Sequence, residues 1–154
     1  MNEQIVETWQ INARINLYLL EAFEPENLRN ALLSKGRSVG EQFAHINNVR
    51  LMWLKESAPE LLEKCTKVEK EKSSDKDFLR ECLGKSANAI AELFTDAVNR
   101  NVRIKGSKPH TTAFLGYLTA HEAHHRSQII LAAKQAGHPL DKKILYGIWE
   151  WGVR

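Results

Sequence analysis

Apolar residues recur at intervals of three and four along four stretches of the chain, which is the pattern of amphipathic helices. The four stretches are Ile5–Phe23, Val39 to about Ser57, Phe78 to about Val102, and Phe114 to Gly137. No stretch shows the strict alternation typical of strands. The pattern therefore predicts an all-α fold, a four-helix bundle, formed by a single domain over residues 1–154.

Capping residues support these helix boundaries. The second helix is predicted to start at Ser38 because the serine and Glu41 match the capping-box spacing, and to stop before Pro59. Further candidate caps are Ser74 or Asp75 for the third helix, Thr111 or Thr112 for the fourth, and Gly137 with Pro139 at its end. Each boundary thus combines a periodic pattern with a local stop or start signal.

Two segments fall outside the four helices. The stretch between Pro59 and Asp77 is rich in alternating charges, and we expect it to be a long connection that crosses one end of the bundle. The tail Asp141–Arg154 contains Trp149 and Trp151. A tail this aromatic is predicted to be short and helical, and to pack over the bundle or against a partner subunit.

Composition narrows the functional classes. The chain is 43% hydrophobic and 27% charged, with a formal net charge of +3 and acidic residues interleaved with basic ones. This distribution argues against a nucleic-acid surface, and no apolar run resembles a signal peptide or a membrane span, so a cytoplasmic location is expected. Cys65 and Cys82 are too few for a disulfide framework or a cysteine-type zinc site, and reduced thiols are expected.

Three histidines are the main candidates for chemistry. His121 and His125 are four residues apart on the core stripe of the fourth helix, so both can reach one metal ion. His45 falls within the buried sector of the second helix and is the best third ligand. A histidine on an apolar face is more commonly a hydrogen-bonded core residue, so the site depends on all three converging. His110, His124 and His138 are expected to lie outside it.

Three imidazoles would leave a coordination position open for water or substrate, which is the arrangement of catalytic metal sites. Imidazole ligands suit zinc and nickel, with iron, copper or manganese as further candidates. The bound metal would act as a Lewis acid, polarising a bound group or lowering the pKa of bound water.

The same stretch also matches the H-E-x-x-H signature of zinc peptidases, with Glu122 as the general base. No third ligand follows downstream, and no edge strand is predicted to bind a peptide. A peptidase is therefore disfavoured, and Glu122 is expected to face solvent or to support the site from behind.

Asn12 and Asn16 lie close to the apolar stripe of the first helix. Asparagine is commoner on the surface of a helix, whereas a buried amide must find hydrogen-bond partners. Both interpretations stay open, and the second places the two amides in a polar pocket.

These motifs together resemble the DinB/YfiT-like family of metal-dependent enzymes. That family carries one histidine on its second helix and an H-x-x-x-H-R-G-Q element on its fourth. The matching segments here are GEQFAHI, which holds His45, and HEAHHRSQ at residues 121–128. Ser127 replaces the usual glycine, and the first helix carries a related element, NARIN, at residues 12–16. The resemblance covers essentially the whole chain.

The resemblance implies an up-down-down-up bundle, consistent with the long connection after Pro59, and a divalent metal held by His45, His121 and His125. It also implies a homodimer. Arg126 matches the family's arginine, which suggests that it anchors a carboxylate near the site or pairs with a neighbouring helix.

Characterised members of the family include transferases and isomerases that use bacillithiol, mycothiol or glutathione-type thiols. The expected function is therefore a metal-dependent thiol transferase, in which an activated thiolate attacks a small electrophile. The alternatives are a non-catalytic, stress-associated metal-binding bundle and a metal-dependent hydrolase that uses the H-E-x-x-H stretch.

Overall fold

The computed structural model describes residues 2–107 and 109–154, and these residues contain six α-helices, four of them long. They are α1 (Asn2–Glu21), α2 (Val39–Ser57), α3 (Pro59–Leu62), α4 (Lys76–Asn99), α5 (Thr111–Gln135) and α6 (Lys142–Gly147). Short 3-10 turns at Pro25–Arg29, Lys70–Lys72 and Trp151–Val153 complete the regular structure. These residues contain no β-strand, so the predicted all-α class is confirmed.

The start of α2 carries the predicted capping box. The backbone N–H of Glu41 donates to Ser38 Oγ at 3.2 Å, and the N–H of Ser38 donates to Glu41 Oε2 at 2.7 Å. Asp75 caps α4 by accepting a hydrogen bond from the N–H of Phe78 at 3.0 Å. Both helices therefore begin where a side-chain oxygen satisfies a backbone donor that has no partner within the helix.

The cap of α5 differs from the prediction. His110, rather than Thr111 or Thr112, is the N-cap residue, and its Nδ1 accepts from the N–H of Ala113 at 3.2 Å. The imidazole can act as a cap because Nδ1, which is three bonds from Cα like the side-chain oxygen of Asp or Asn, offers a lone pair to the backbone. The helix consequently begins at Thr111 itself.

The long helices run up-down-down-up. Their contacts show α1 antiparallel to α4 and parallel to α5, while α2 is antiparallel to α5. The pairs that establish these directions are Trp9–Phe94, Glu21–Arg80, Asn12–Glu122, Asn16–Arg126, Gln42–His125 and Trp53–Phe114. The connection from α2 to α4 therefore runs the length of the bundle, whereas the expectation was that it would cross one end, and α2 and α4 consequently point in the same direction.

The core is divided into two apolar clusters. One lies around Phe43, Leu83 and Ile129, and the other around Phe94 and Phe114, closer to the opposite end of the helices. A layer of buried polar side chains occupies the middle of the bundle between them, namely Asn12, Asn16, Arg50, Ser86, Glu122 and Arg126. Buried polar groups need hydrogen-bond partners, and here the partners lie on different helices. The layer therefore restricts the rotation of each helix about its own axis.

Asparagine side chains fasten the long connection to α2. The Asn48 side chain accepts from the N–H of Val68 and donates to its carbonyl, both at 2.9 Å, and Asn47 donates to the carbonyl of Thr66 at 2.9 Å. At the start of α2 the backbone of Ser73 passes so close to Gly40 that an added Cβ would lie 1.8 Å from a carbonyl oxygen. The connection is thus packed in place.

The C-terminal tail packs over the bundle, which was one of its two predicted positions. The Arg154 guanidinium stacks 3.8 Å from the centre of the Tyr18 ring, and Arg14 donates to the Arg154 carbonyl at 2.9 Å. Gly147 touches the same tyrosine, where a Cβ would clash with the hydroxyl. These contacts hold the tail against α1.

Two residues on the predicted apolar stripes, Met52 of α2 and Tyr117 of α5, are exposed. Met52 is 56% exposed although it falls on the apolar stripe of α2, because this part of the helix faces outward. None of the described helices has both the length and the hydropathy that a membrane span requires.

Candidate metal centre

Three histidines converge between α2 and α5. One potential ligand nitrogen from each of His45, His121 and His125 lies within 4.8 Å of the other two. The Nε2 atoms of His121 and His125 are 3.1 Å apart, and the centre of the His45 ring lies 4.5 Å from that of His125. The structure therefore brings together the three residues that the sequence singled out, from two antiparallel helices.

The spacing of these nitrogens suits a tetrahedral metal ion. Two ligand nitrogens that are each about 2.0–2.1 Å from zinc lie about 3.3 Å apart at a tetrahedral angle. The observed 3.1 Å between His121 and His125 is close to this value. In the absence of metal, neutral His121 can donate from Nε2 to the unprotonated Nε2 of His125 across this distance, and a metal ion would replace that proton, so the residues present fit the metal that the motif implies.

Gln42 fixes the orientation of one ring. Its side-chain oxygen lies 2.7 Å from Nδ1 of His125, so Nδ1 carries the proton and donates. Nε2 of His125 is then unprotonated and turned towards the other two histidines. Hydrogen bonds of this kind hold a metal-binding imidazole in the correct tautomer and orientation.

Burial keeps the three imidazoles neutral. It lowers the pKa of His125 to about 3, with the neighbouring His121 and His45 adding to the effect. Burial also lowers the pKa of His45 to about 4, assisted by the positive charge of Arg37, and it lowers the pKa of His121. Neutral imidazole is the form that binds metal, so the site is prepared for a ligand role at neutral pH.

An aromatic strip borders the site. The Tyr117 ring is stacked on His121, with ring centres 6.3 Å apart and planes 16° apart, and Trp53 lies 5.5 Å from Tyr117. Tyr117 is 47% exposed, and His45 and His121 are also partly exposed. The open side of the three histidines thus lies beside apolar ring surface that a substrate could contact.

Glu122 points away from the histidines and is only 1% exposed. Arg50 donates to both of its oxygens, from Nε at 2.6 Å and from Nη2 at 3.0 Å. The amides of Asn12 and Asn16 each donate to Oε2 at 2.7 Å. Of the two positions expected for Glu122, the solvent-facing one is therefore wrong, and the two asparagines occupy the polar pocket rather than the surface.

The burial of Arg50 was not predicted from the sequence. Its Nη1 donates to the Leu83 carbonyl at 3.0 Å and to Ser86 Oγ at 3.1 Å, and its guanidinium lies 4.9 Å from the Trp9 ring. The available signal was its register, because Arg50 follows Ile46 by four residues on the inward stripe of α2. An arginine in that register indicates a buried acidic partner.

Arg126 contacts a neighbouring helix, through Asn16 rather than through a salt bridge. Its Nη1 donates to Asn16 Oδ1 at 2.8 Å. Burial lowers the pKa of the guanidinium, while the nearby Glu122 raises it. The predicted salt bridge to a neighbouring helix is therefore not observed among the described residues, and Arg126 attaches α5 to α1 through a neutral amide instead.

A comparison with protein families identifies the chain. Residues 1–147 match the sequence model of the DinB family. The chain belongs to the DinB family. No curated protein and no solved structure shows significant similarity to it. The matched region of this DinB protein contains the three histidines and the buried cluster around Glu122, whereas residues 148–154, with both tail tryptophans, lie beyond it.

The remaining histidines and the cysteines are not part of the group of three, although the centre of the His124 ring lies 5.1 Å from that of His125. His110 caps α5, and His124 and His138 are exposed, as predicted. Cys65 and Cys82 are free thiols, and burial raises the pKa of both. Protonated thiols are poor nucleophiles and poor metal ligands, so neither cysteine is prepared for such a role.

Proposed function

We propose that this DinB-family protein binds a divalent metal ion through His45, His121 and His125 and is a metal-dependent thiol transferase. The observation that carries the proposal is the convergence of three neutral imidazoles, one of them oriented by Gln42. Zinc and nickel suit this ligand set best, with iron and manganese as further candidates.

The metal, when bound, would act as a Lewis acid and lower the pKa of a thiol at the open position. The residues of the chain serve this chemistry by geometry. Gln42 holds the His125 ring, and the buried Glu122 cluster fixes the rotation of α5 and so the direction in which His121 and His125 point. Tyr117 and Trp53 offer ring surface to the apolar part of a substrate.

In the proposed reaction a low-molecular-weight thiol loses its proton to solvent and its sulfur forms a bond to an electrophilic carbon of the second substrate. The bond between that carbon and its leaving group breaks, and the leaving group departs with the electron pair as an anion. Glu122 is not available as a general base, because its carboxylate is engaged with Arg50. A thiol needs little help of this kind, since its pKa of about 8.5 is already near neutral. A metal-dependent hydrolase that relies on Glu122 as its base is correspondingly less well supported.

Elemental analysis of the purified protein tests the metal site. We expect about one equivalent of metal in the wild type and a large loss in His45→Ala. His138→Ala is the matched control, because it removes an exposed imidazole beyond the end of α5 and should retain the metal. Stoichiometric metal in His45→Ala would refute the three-histidine site.

A conjugation assay tests the reaction. Metal-loaded protein is mixed with 1-chloro-2,4-dinitrobenzene and, in turn, glutathione, bacillithiol or mycothiol. We expect consumption of at least one thiol to depend on the metal and to disappear in His45→Ala. If the wild type binds metal but conjugates none of these thiols, the non-catalytic metal-binding function replaces the transferase.

We further propose that the protein is a homodimer, as the family resemblance implies. Tyr146, Trp149 and Val153 expose large apolar surfaces on the tail and are suitable for such an interface. Light scattering coupled to size-exclusion chromatography measures the mass directly, and a monomer at micromolar concentration would contradict the proposal.

A further inference from the structure

A cavity of about 460 Å³ lies between α5 and the C-terminal segment. Its α5 wall includes Thr119, Ala123 and Arg126. Successive residues of an α-helix are rotated by about 100°, so Ala123 lies about 200° around the axis from His121. The cavity is therefore on the opposite face of α5 from the three histidines and is a separate feature of the molecule.

The outer wall of this cavity is apolar. Leu145, Ile148, Trp149 and Trp151 supply it from the C-terminal segment. The volume is within the range of about 300–1,000 Å³ that is usual for small-molecule sites, which combine apolar walls with a few polar groups. The tail, which the contacts of Arg154 with Tyr18 hold in place, thus completes a pocket rather than merely covering α1.

The inner wall carries an uncompensated positive charge. The buried polar layer contains two guanidinium groups, Arg50 and Arg126, and one carboxylate, Glu122. Both oxygens of Glu122 accept from Arg50, whereas the hydrogen bond of Arg126 within the described residues is to the neutral amide of Asn16. A guanidinium that is only 7% exposed is costly without an anionic partner, and Arg126 lines the cavity.

A second polar group on this wall also lacks a partner. Thr119 Oγ1 is buried and makes no hydrogen bond with the described residues. A threonine on a helix normally donates to a carbonyl in the preceding turn, so an unused hydroxyl beside a cavity is unusual. Thr119 and Arg126 are seven residues apart, two turns of one helix, and both line the same space.

We propose that this cavity binds a small monocarboxylate with an aromatic or branched apolar body, anchored by Arg126 and Thr119. The guanidinium fork matches the geometry of a carboxylate, and one negative charge balances the one surplus positive charge of the buried layer. The tail tryptophans pack against the apolar body. This site goes beyond the proposed metal-dependent function, because it lies on the other face of α5.

A ligand-observed NMR titration of the full chain with 3-phenylpropanoate and its neutral amide, 3-phenylpropanamide, tests the proposal. We expect saturable binding of the acid and at least about tenfold weaker binding of the amide, since hydrogen bonds to charged groups contribute more than neutral ones. Arg126→Gln should reduce the affinity for the acid to that for the amide.

Arg126 also belongs to the buried layer, so Thr119→Val provides a test that preserves side-chain shape. We expect it to weaken binding of the acid by about threefold to tenfold, the usual effect of one hydrogen bond. Thr112→Val, an exposed position on the same helix, is the matched control and should not change the affinity. His45→Ala should also leave the affinity unchanged, because the metal site is separate.

Equal affinities for the acid and the amide in the wild type would overturn the proposal, as would unchanged binding in Thr119→Val. Loss of binding in His45→Ala would place the carboxylate at the histidines instead and would equally overturn it. The failure of the metal analysis described above would not affect any of these outcomes, so the two proposals can fail independently.

Discussion

Replacing Glu122 by glutamine would remove the carboxylate that holds the middle of the bundle together. The side chain keeps its size and shape, so the change is electrostatic. Four N–H groups donate to Glu122 in the native structure, two from Arg50 and one each from Asn12 and Asn16. A glutamine has only one acceptor oxygen, and its amide hydrogens would face donors.

The expected loss is large because the pair is buried. Arg50 and Glu122 are each 1% exposed, so water cannot replace the missing acceptor. Breaking a buried ion pair by removing one partner costs about 3–5 kcal/mol, and Arg126 nearby would add a second unbalanced charge. For a domain of this size that loss corresponds to a melting temperature lower by roughly 10–15 °C.

Urea denaturation of the metal-free proteins provides the measurement, since bound metal would itself stabilise the folded state. Glu81→Gln is the matched control. It breaks an exposed ion pair with Lys85 and should cost less than about 1 kcal/mol. The denaturation slope should stay constant, so that the shift in midpoint reports stability alone.

A double variant separates the ion pair from other effects. Arg50→Met should also be strongly destabilising, but Glu122→Gln combined with Arg50→Met should lose less than the sum of the two single variants, because neither charge is then left alone. A loss below about 1 kcal/mol in Glu122→Gln, or simple additivity in the double variant, would refute the reasoning.

Three further predictions concern the site and the fold. Gln42→Ala removes the acceptor that orients His125, so the metal affinity should be about 10–100-fold weaker. Competition with a chromogenic chelator measures this affinity, and the control variant Gln10→Ala should leave it unchanged. Since His125 has a folded-state pKa of about 3 against about 6.5 when unfolded, the unfolded state binds more protons between these values. His125 should therefore contribute a loss of about 1.4 kcal/mol per pH unit as the pH falls from about 6.5 to about 3, with His45 and His121 adding to the slope of the metal-free protein. Urea denaturation measures this slope, which should be smaller in His125→Gln. Gly40→Ala would force its Cβ against the Ser73 carbonyl and should cost at least about 2 kcal/mol, whereas Gly84→Ala, where nothing is close, should be neutral or stabilising.

The helices and the three histidines could be predicted because their signals are local. A period of 3.6 and the Ser38–Glu41 capping box identify α2 without any knowledge of its neighbours. The spacing of four between His121 and His125 places both rings on one face whatever the fold. His45 required one more step, its position in the inward sector of α2, and the structure confirms that it meets the other two.

The buried polar layer could not be predicted because its partners lie on different helices. Asn12 and Asn16 have no sequence signal that distinguishes a buried amide from a surface one, and surface positions are the commoner case. They are buried because Glu122, more than 100 residues away in sequence, accepts their hydrogen bonds. Arg50 resembles any charged residue on a helix until its register on the apolar stripe is considered.

The sequence also could not predict which side chains are exposed beside the three histidines. Met52 and Trp53 continue the apolar stripe of α2, and periodicity alone assigns both to the core. The bundle leaves part of this stripe uncovered, so Met52 is exposed while Trp53 packs against Phe114 and Tyr117. Periodicity identifies the apolar face of a helix, but only the packing of its neighbours decides how much of that face is covered.

The H-E-x-x-H stretch illustrates how one helix can serve two purposes with adjacent residues. His121 and His125 face α2 and form the histidine site, whereas Glu122 and Arg126, one residue further along, are rotated by about 100° towards α1. The buried cluster therefore fixes the rotation of α5, because any turn of the helix would break its hydrogen bonds to Asn16 and Arg50. The same restriction determines where the two imidazoles point. We therefore propose that the glutamate of the motif positions the histidines and does not act as a base.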